Sequence, residues 1–254
     1  MKDLHLEQAQ IIGNTCIAPD IFSMNLAAPG VAAEARPGQF VMVYLGKADM
    51  LLPRPISLCD ICPASGTIRL VYQVVGAGTK VMSEMCPEQN VQLFGPLGNG
   101  FWPESSSRVA LVGGGIGTPP LLPLAKSLSA AGVSVDVYLG FRSTPILVEE
   151  FRAVANNVFI STEDGSVGHH GYITEALREQ NVTYDEIFAC GPKPLLRALA
   201  DFAAEKSIPC QVSVEERMAC GVGTCVGCVV KVGETYVRVC AEGPVFDSTE
   251  VDLS

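Results

Sequence analysis

The sequence predicts a mixed fold, in which an antiparallel β-barrel, a doubly wound α/β domain and a small C-terminal module follow one another. Three observations predict it: short β-rich segments with frequent turn residues in the first part, a regular alternation of strands and helices after Arg108, and a concentration of cysteine and glycine near the C-terminus. Two domains with a small appendage also suit a chain of 254 residues. We therefore expect domains at residues 1–100, 101–208 and 209–254.

The first domain is predicted to be all-β. Its clearest strands are residues 38–44 and 67–74, which are rich in Val, Ile, Phe and Tyr. Turn residues such as Gly30, Pro63 and Gly66 separate the strands. Closely spaced strands of this kind are typical of a small barrel.

The second domain is predicted from its strand–helix rhythm. Short apolar runs that suit buried parallel strands alternate with helical segments, which predicts a doubly wound sheet. The expected strands are residues 109–112, 133–139, 158–160 and 186–189, and the expected helices are residues 121–131, 173–179 and 195–205.

Composition and charge restrict the class of protein. Hydrophobic residues make up 48% of the chain and charged residues 17%, so a sizeable core can be buried. The net charge is −10 with no basic block, which argues against nucleic acid and anionic membranes as partners. The longest uncharged run, residues 109–125, is interrupted by glycines and prolines and does not resemble a membrane span. No secretory signal is visible at the start, so we expect a cytoplasmic protein.

The C-terminal module contains four cysteines at a diagnostic spacing. Four residues separate Cys220 from Cys225, two separate Cys225 from Cys228, and eleven separate Cys228 from Cys240. This is the plant-type spacing of a [2Fe–2S] cluster, whose irons are held by four thiolates. The intervening glycines let the backbone wrap around a cluster and direct N–H groups at its sulfurs. We therefore predict that these four cysteines bind a [2Fe–2S] cluster.

A structural zinc site is the alternative reading of these cysteines. Zinc sites usually combine two short cysteine hooks, whereas this chain has one extended hook and one lone cysteine. Clustered cysteines in a reducing compartment indicate a metal site more often than disulfides. The remaining six cysteines are scattered along the chain: Cys16, Cys59, Cys62, Cys86, Cys190 and Cys210.

A glycine loop at residues 113–120 lies between a predicted strand and a predicted helix. Glycines at such a turn let backbone N–H groups approach a dinucleotide pyrophosphate. Thr118 stands where the third glycine of the usual fingerprint would be, so a βα turn without a ligand is the alternative. The candidate ligand contacts are Gly114, Gly115, Gly117 and Thr118.

A second candidate segment of the nicotinamide site begins with Cys190 and Gly191, which precede Pro192. They follow a predicted strand at the carboxyl edge of the sheet, where open α/β sheets bind ligands. A small thiol beside a glycine can lie against a flat nicotinamide ring, although a buried cysteine before a helix is also common. Arg142, rather than an acidic residue, follows the strand that ends at Leu139, which leaves NAD and NADP open.

A flavin site is predicted in the first domain. Arg54, expected between two barrel strands, can pair with a flavin phosphate, and Ser57 can bind the isoalloxazine edge. Gly78 and Thr79 precede a short helix expected at residues 80–85 and offer a second phosphate site. Tyr72 is a candidate to cover the adenine or ribose. The full set of candidate contacts is Arg54, Pro55, Ile56, Ser57, Val71, Tyr72, Gln73, Gly78 and Thr79.

These motifs carry a family resemblance. Residues 1–208 resemble the ferredoxin–NADP reductase superfamily in three motifs: the flavin motif at residues 54–57, the nicotinamide loop at residues 113–120, and the Cys-Gly-Pro triplet. Residues 215–228 resemble more narrowly the electron-transfer subunits of NAD-linked dihydroorotate dehydrogenase B, and residues 244–246 fit that family too.

The resemblance implies a specific activity. The chain would bind FAD and one [2Fe–2S] cluster and pair with a catalytic subunit that carries FMN and oxidises dihydroorotate in pyrimidine synthesis. Electrons would pass from that FMN through the cluster and FAD to NAD⁺, and the assembly would be a heterotetramer of two subunits of each kind. No catalytic acid–base residue is expected in this chain.

Two other functions are alternatives. The first is a related FAD and [2Fe–2S] reductase subunit that serves a hydrogenase, a sulfite reductase or ferredoxin, because its motifs would be nearly the same. The second is a binding module with a zinc knuckle, which would be colourless, whereas flavin with [2Fe–2S] gives a brown-yellow protein.

Overall fold

A computed structural model describes residues 4–47, 50–180 and 182–254. The chain forms two compact units, and the first contains the chain up to Gly100. The C-terminal residues are divided between the units. The first unit also contains residues 216–229 and 238–244, and the second contains residues 101–215, 230–237 and 245–254. The three-domain division expected from the sequence stays a prediction.

The first unit contains a closed antiparallel barrel with the strand order β1-β2-β5-β4-β3-β6. This confirms the predicted barrel. Two short helices accompany it. The elements in chain order are β1 (His5–Ala18), β2 (Ile21–Ala27), α1 (Pro29–Glu34), β3 (Phe40–Tyr44), β4 (Arg54–Cys62), β5 (Thr67–Gln73), α2 (Ala77–Ser83) and β6 (Asn90–Leu97).

Alternating side chains of the strands fill the barrel. On β3, Val41 and Val43 are fully buried in the barrel core, together with Met24 of β2 and Leu70 of β5. The intervening residues of β3 point to the opposite face, because successive side chains of a strand alternate. Met42 therefore lies on the outer face of the barrel, although it too is fully buried.

Three details of the barrel differ from the sequence prediction. Residues 54–57 were expected between strands, but they form the first part of β4, and Met42 of β3 is the Cα partner of Pro55. Proline suggests a strand break because it lacks an N–H, yet it is tolerated at the beginning of a strand. Helix α2 begins at Ala77 instead of residue 80, and β3 begins at Phe40 instead of residue 38.

The second unit contains a seven-stranded sheet with the order β10-β9-β8-β7-β11-β12-β15, and only β15 is antiparallel to its neighbour. A two-stranded sheet is formed by β13 and β14. The elements are β7 (Arg108–Gly114), α3 (Leu121–Ala130), β8 (Ser134–Phe141), α4 (Val148–Arg152), β9 (Asn157–Thr162), β10 (His169–His170), α5 (Ile173–Glu179), β11 (Glu186–Cys190), α6 (Lys193–Lys206), β12 (Cys210–Ser213), β13 (Val229–Val232), β14 (Thr235–Arg238), α7 (Val239–Glu242) and β15 (Val245–Asp247).

This sheet confirms the predicted α/β fold. The glycine loop begins in the last two residues of β7 and the Cys-Gly-Pro triplet begins with the last residue of β11, and these two parallel strands are neighbours. Helix α5 has the predicted bounds, and α6 begins two residues earlier than predicted, directly after Pro192. In the described part of the chain, no helix has the length and apolar character needed to cross a membrane.

Candidate cofactor-binding sites

The four C-terminal cysteines come together in the first unit as two pairs. The Cys220 and Cys225 side chains interact with each other, and so do those of Cys228 and Cys240. Cys225 is exposed, whereas Cys228 and Cys240 are each 2% exposed, and all four are free cysteines. Residues 220–228 and helix α7, which carries Cys240, therefore present one outer pair and one inner pair of thiols.

Backbone N–H groups converge on the outer pair. Burial opposes ionisation of the Cys220 thiol, but N–H groups of Cys225, Val222 and Thr224 donate to its Sγ at 3.3–3.4 Å and lower its pKa to about 6. Donors aimed at a thiolate sulfur stabilise its negative charge. Cys220 is therefore prepared to act as a thiolate ligand.

Cys240 of the inner pair has the opposite tendency. Burial raises the pKa of Cys240 to about 12, and the neighbouring Cys228 adds to this, although the N–H of Gly223 donates to Cys240 Sγ at 3.1 Å. Two buried thiols become thiolates only beside a compensating positive charge, which a bound metal supplies. The donor set of this pair therefore fits a metal centre.

The two pairs fit the ligand set of a two-iron cluster. Such a cluster has four thiolate ligands, two on each iron, and each pair of cysteines could bind one iron. A structural zinc ion instead needs four ligands around one point. The residues therefore fit a [2Fe–2S] cluster.

The loop at residues 220–228, here called the cluster loop, lies on the outer face of the barrel. Gly221 has φ +72°, and a Cβ at this position would lie 2.7 Å from Met42 Cγ and 3.2 Å from Leu97 Cδ1, so only glycine allows this close approach. Met42 is the Cα partner of Pro55 in the flavin motif. Paired residues have side chains on the same face about 5 Å apart. The loop thus lies over the face that carries Pro55 of this motif.

The predicted flavin segments meet at one end of the barrel. A Cβ at Gly78 would overlap the Arg54 guanidinium, so α2 begins directly against this side chain. Strand β5 runs antiparallel to β4 with Leu70 opposite Leu58, so Val71–Gln73 extends towards Arg54. These residues fit a flavin nucleotide, because a guanidinium and a glycine-bounded cradle suit a phosphate.

Three predicted flavin residues have local roles in the structure. Thr79 Oγ1 accepts the N–H groups of Val75 and Gly76, so its hydroxyl closes its own helix turn. Tyr72 is 2% exposed and its hydroxyl donates to Asn14 Oδ1 at 3.1 Å. Ile56 packs against the barrel core. At Tyr72 and Thr79 we therefore expect the backbone, rather than the side chain, to face a ligand.

The two nicotinamide segments contact each other in the second unit. A Cβ at Gly117 would lie 2.6 Å from the Cys190 carbonyl and from Gly191 Cα, and a Cβ at Gly114 would lie 3.0 Å from Pro192 Cδ. Thr118 Oγ1 is buried and has no hydrogen-bond partner among the residues that the structure describes. Close backbone approach and an unsatisfied hydroxyl fit a ligand-binding turn.

The Cys190 thiol is held inside this site. Cys190 is 2% exposed, and burial raises its pKa, with Glu215 adding to the effect, so the thiol stays neutral. Ser213, which pairs with Cys190 across β11 and β12, hydrogen-bonds the thiol. The sequence reasoning missed Ser213, because only the strand register brings it to Cys190.

The sequence reasoning also missed an ion pair beside the cluster loop. Arg238 pairs with Glu242, and Arg238 Nη1 donates to the Gly223 carbonyl at 2.8 Å. The signal was present, because opposite charges four residues apart flank the predicted ligand Cys240.

Comparisons with known proteins agree with this geometry. The sequence model of the iron–sulfur cluster binding domain of dihydroorotate dehydrogenase B matches residues 215–252. Proteins from Bacillus caldolyticus and Enterococcus faecalis, both named electron transfer subunit of dihydroorotate dehydrogenase B (NAD⁺), are 42% and 40% identical to this chain. Each comparison covers 97% of this chain and 98% of the relative.

Solved structures show the same fold. The structure of an NADH-dependent reduced ferredoxin-NADP oxidoreductase is 34% identical, with a TM-score of 0.89 over 96% of this chain and 90% of that one. A ferredoxin NADP⁺ reductase from Neisseria gonorrhoeae, at 14% identity and a TM-score of 0.67 over 84% of this chain and 94% of that one, shares the fold alone. The near-complete coverage at about 40% identity decides the family. The chain belongs to the electron-transfer subunits of NAD-dependent dihydroorotate dehydrogenase B.

Proposed function

We propose that this chain transfers electrons from a dihydroorotate-oxidising partner subunit to NAD⁺ in pyrimidine biosynthesis. The observation that supports this most is the position of the cluster loop on the barrel. Gly221 packs on Met42, whose Cα partner is Pro55 of the flavin motif. The loop that would bind the cluster thus lies on the same face of the barrel as Pro55 of the strand that would bind the flavin.

Different residues of the chain would hold the cluster, FAD and NAD. When bound, an iron–sulfur cluster carries single electrons and FAD exchanges one or two, which connects one-electron carriers to a two-electron nicotinamide. Cys220, Cys225, Cys228 and Cys240 would bind the cluster. Residues 54–57, 71–73 and 78–79 would hold FAD, and the loop at residues 113–118 with Cys190 and Gly191 would hold NAD.

The chain's own part in the chemistry is to bind, orient and exclude water. Dihydroorotate loses two electrons and two protons when it becomes orotate, and NAD⁺ takes up two electrons and one proton. The proton transfers at dihydroorotate belong to the catalytic partner subunit. That this partner carries FMN, that the complex contains two subunits of each kind, and that it works in the cytoplasm are further parts of the proposal.

A reductase that serves ferredoxin is the second candidate function. The basis is the likeness to the NADH-dependent reduced ferredoxin-NADP oxidoreductase, at 34% identity. The relatives named as dihydroorotate dehydrogenase subunits are more similar, at 40–42% identity. The two functions differ in the electron donor. Reduced ferredoxin should therefore be compared with dihydroorotate as the source of electrons for NAD⁺.

The test is to purify the chain together with its catalytic partner and to follow NADH formation at 340 nm after dihydroorotate is added. A Cys225→Ser variant should lose at least 90% of this activity, because one iron loses a ligand. Cys86→Ser is the matched control, since Cys86 is exposed in the connection between α2 and β6 of the same unit, and it should keep the wild-type rate. Full activity of Cys225→Ser, or a complex that accepts electrons only from ferredoxin, would refute the proposal.

A further inference from the structure

Arg238 forms a bridge across the cluster loop. Its Nη1 donates to the carbonyl of Gly223 at 2.8 Å, and its guanidinium lies against the face of the same residue, 3.4 Å from the position of a Cβ there. The N–H of Gly223 donates to Cys240 Sγ at 3.1 Å. One peptide segment therefore connects Arg238 to a ligand of the inner pair.

Glu242 holds Arg238 in this position. Its carboxylate pairs with the guanidinium at two nitrogens and also accepts the backbone N–H of Arg238 at 2.8 Å. Both side chains are only about 40% exposed. A positive and a negative charge are thus fixed close to the inner thiolates.

We propose that Arg238 and Glu242 are positioning residues that set the reduction potential of the cluster with opposite signs. Reduction adds one negative charge to the cluster, so a nearby positive charge favours the reduced form and a nearby negative charge opposes it. Arg238 also keeps Gly223 aligned for its N–H···S bond, which stabilises the reduced form further. The inference rests on the proposed function, because it requires a [2Fe–2S] cluster on these cysteines.

The test is a redox titration of the purified holo-protein, followed by electron paramagnetic resonance of the reduced cluster. Arg238→Gln should lower the ratio of reduced to oxidised cluster at a fixed solution potential about tenfold, which is 59 mV for a one-electron couple. Glu242→Gln should raise the same ratio. Arg238→Lys, which retains the charge, should stay closer to wild type than Arg238→Gln.

Arg178→Gln is the matched control, because it removes one positive charge from an exposed ion pair with Glu205 in the second unit. It should leave the potential unchanged. A purely structural role would shift the Arg238→Gln and Glu242→Gln potentials in the same direction or not at all, and either result overturns the inference. If Arg238→Gln assembles no cluster, the sign of the Glu242→Gln shift decides.

The outcomes also separate this inference from the proposed function. A wild-type chain whose four cysteines give no signal from a reduced cluster would refute the proposed function itself. A normal wild-type signal, with unmoved potentials in both glutamine variants, would refute only the role of the ion pair.

Discussion

The absence of a side chain at Gly78 leaves room for the guanidinium of Arg54. A Cβ at Gly78 would overlap the Arg54 guanidinium, whose far end is able to move aside. We expect Gly78→Ala to keep its thermal stability but to bind FAD at least tenfold more weakly, a loss of about 1.4 kcal/mol, because Arg54 is displaced from the phosphate site. Flavin release measured by absorbance and fluorescence gives the affinity.

Gly76→Ala is the control for this substitution. Gly76 precedes the same helix, has extended backbone, and leaves open space where a Cβ would be. This variant should retain FAD like the wild type. Equal retention of FAD by both alanine variants would contradict the role assigned to Arg54.

Tyr72 gives the barrel a pH-dependent contribution to its stability. Burial raises the pKa of Tyr72 to about 12, against about 10 in the unfolded chain. The folded state keeps the phenol neutral, so this contribution is fully present below pH 10 and is lost as the pH rises from 10 to 12. The wild type should lose about 1.4 kcal/mol per pH unit relative to Tyr72→Phe in that range.

Plotted against pH, the free energies of unfolding of the wild type and of Tyr72→Phe should cross. At pH 8 Tyr72→Phe is expected to be less stable by about 1 kcal/mol, because the hydrogen bond to Asn14 is lost. Above pH 11 the wild type should become the less stable protein. Urea unfolding at pH 8, 10 and 11 measures this, and parallel pH dependences of the two proteins would show that Tyr72 ionises normally.

At the scale of elements, one buried carboxylate connects the amino ends of three strands. Asp136 of β8 is 1% exposed and accepts hydrogen bonds from Arg108 of β7, Asn157 of β9 and Tyr184. We expect Asp136→Ala to reduce the free energy of unfolding by about 3 kcal/mol, because it leaves these donors without their acceptor. This is the lower end of the usual range, since the Arg108 side chain is 39% exposed.

An exposed ion pair provides the comparison. Glu149 pairs with Arg152 on α4, and the Glu149 side chain is 82% exposed. Glu149→Ala should change the free energy of unfolding by no more than about 0.5 kcal/mol. A similar small effect of Asp136→Ala would mean that the buried network contributes little to the sheet.

The elements also show what local sequence patterns can predict. Helix α5 and the strand–helix order of the second unit follow from local periodicity, and α6 was displaced only because its first turn contains a proline. Strand β15 was not predicted, because its antiparallel pairing with β12 is a contact between distant segments that no local pattern records. The start of β4 was missed because Pro55 has no N–H.

The candidate sites likewise contain parts that local sequence patterns can predict and parts that they cannot. The spacing of Cys220 and Cys225 with the later cysteines was sufficient to predict a cluster, because the ligands and the loop that carries them are local in sequence. The roles of Ser213 and of the Arg238–Glu242 pair depend on which strands and loops meet. The burial of Tyr72 was also hidden, since its strand alone does not show which face points into the barrel.

At the scale of the whole molecule, the four proposed cluster ligands lie on two separate segments. Residues 216–229 and 238–244 belong to the first unit, while the residues between them belong to the second. Neither segment contains a long helix or strand. Bonds through the metal would therefore supply much of what holds the two segments together, because metal binding to such a site is coupled to local folding.

Removal of the iron should consequently loosen these two segments and leave the rest of the chain folded. Four backbone amides of the cluster loop donate to cysteine sulfurs and lie outside the strands, namely those of Val222, Gly223, Thr224 and Cys225. Their hydrogen exchange should therefore accelerate at least a hundredfold, which corresponds to a loss of about 2.7 kcal/mol of local stability. Hydrogen exchange followed by mass spectrometry, before and after chelation of the iron, measures this.

Amides of β7 and β8 serve as internal controls and should be unchanged. Equal acceleration in those strands would mean that the cluster stabilises the entire protein, and no acceleration in the loop would mean that the thiol loop is preformed without metal.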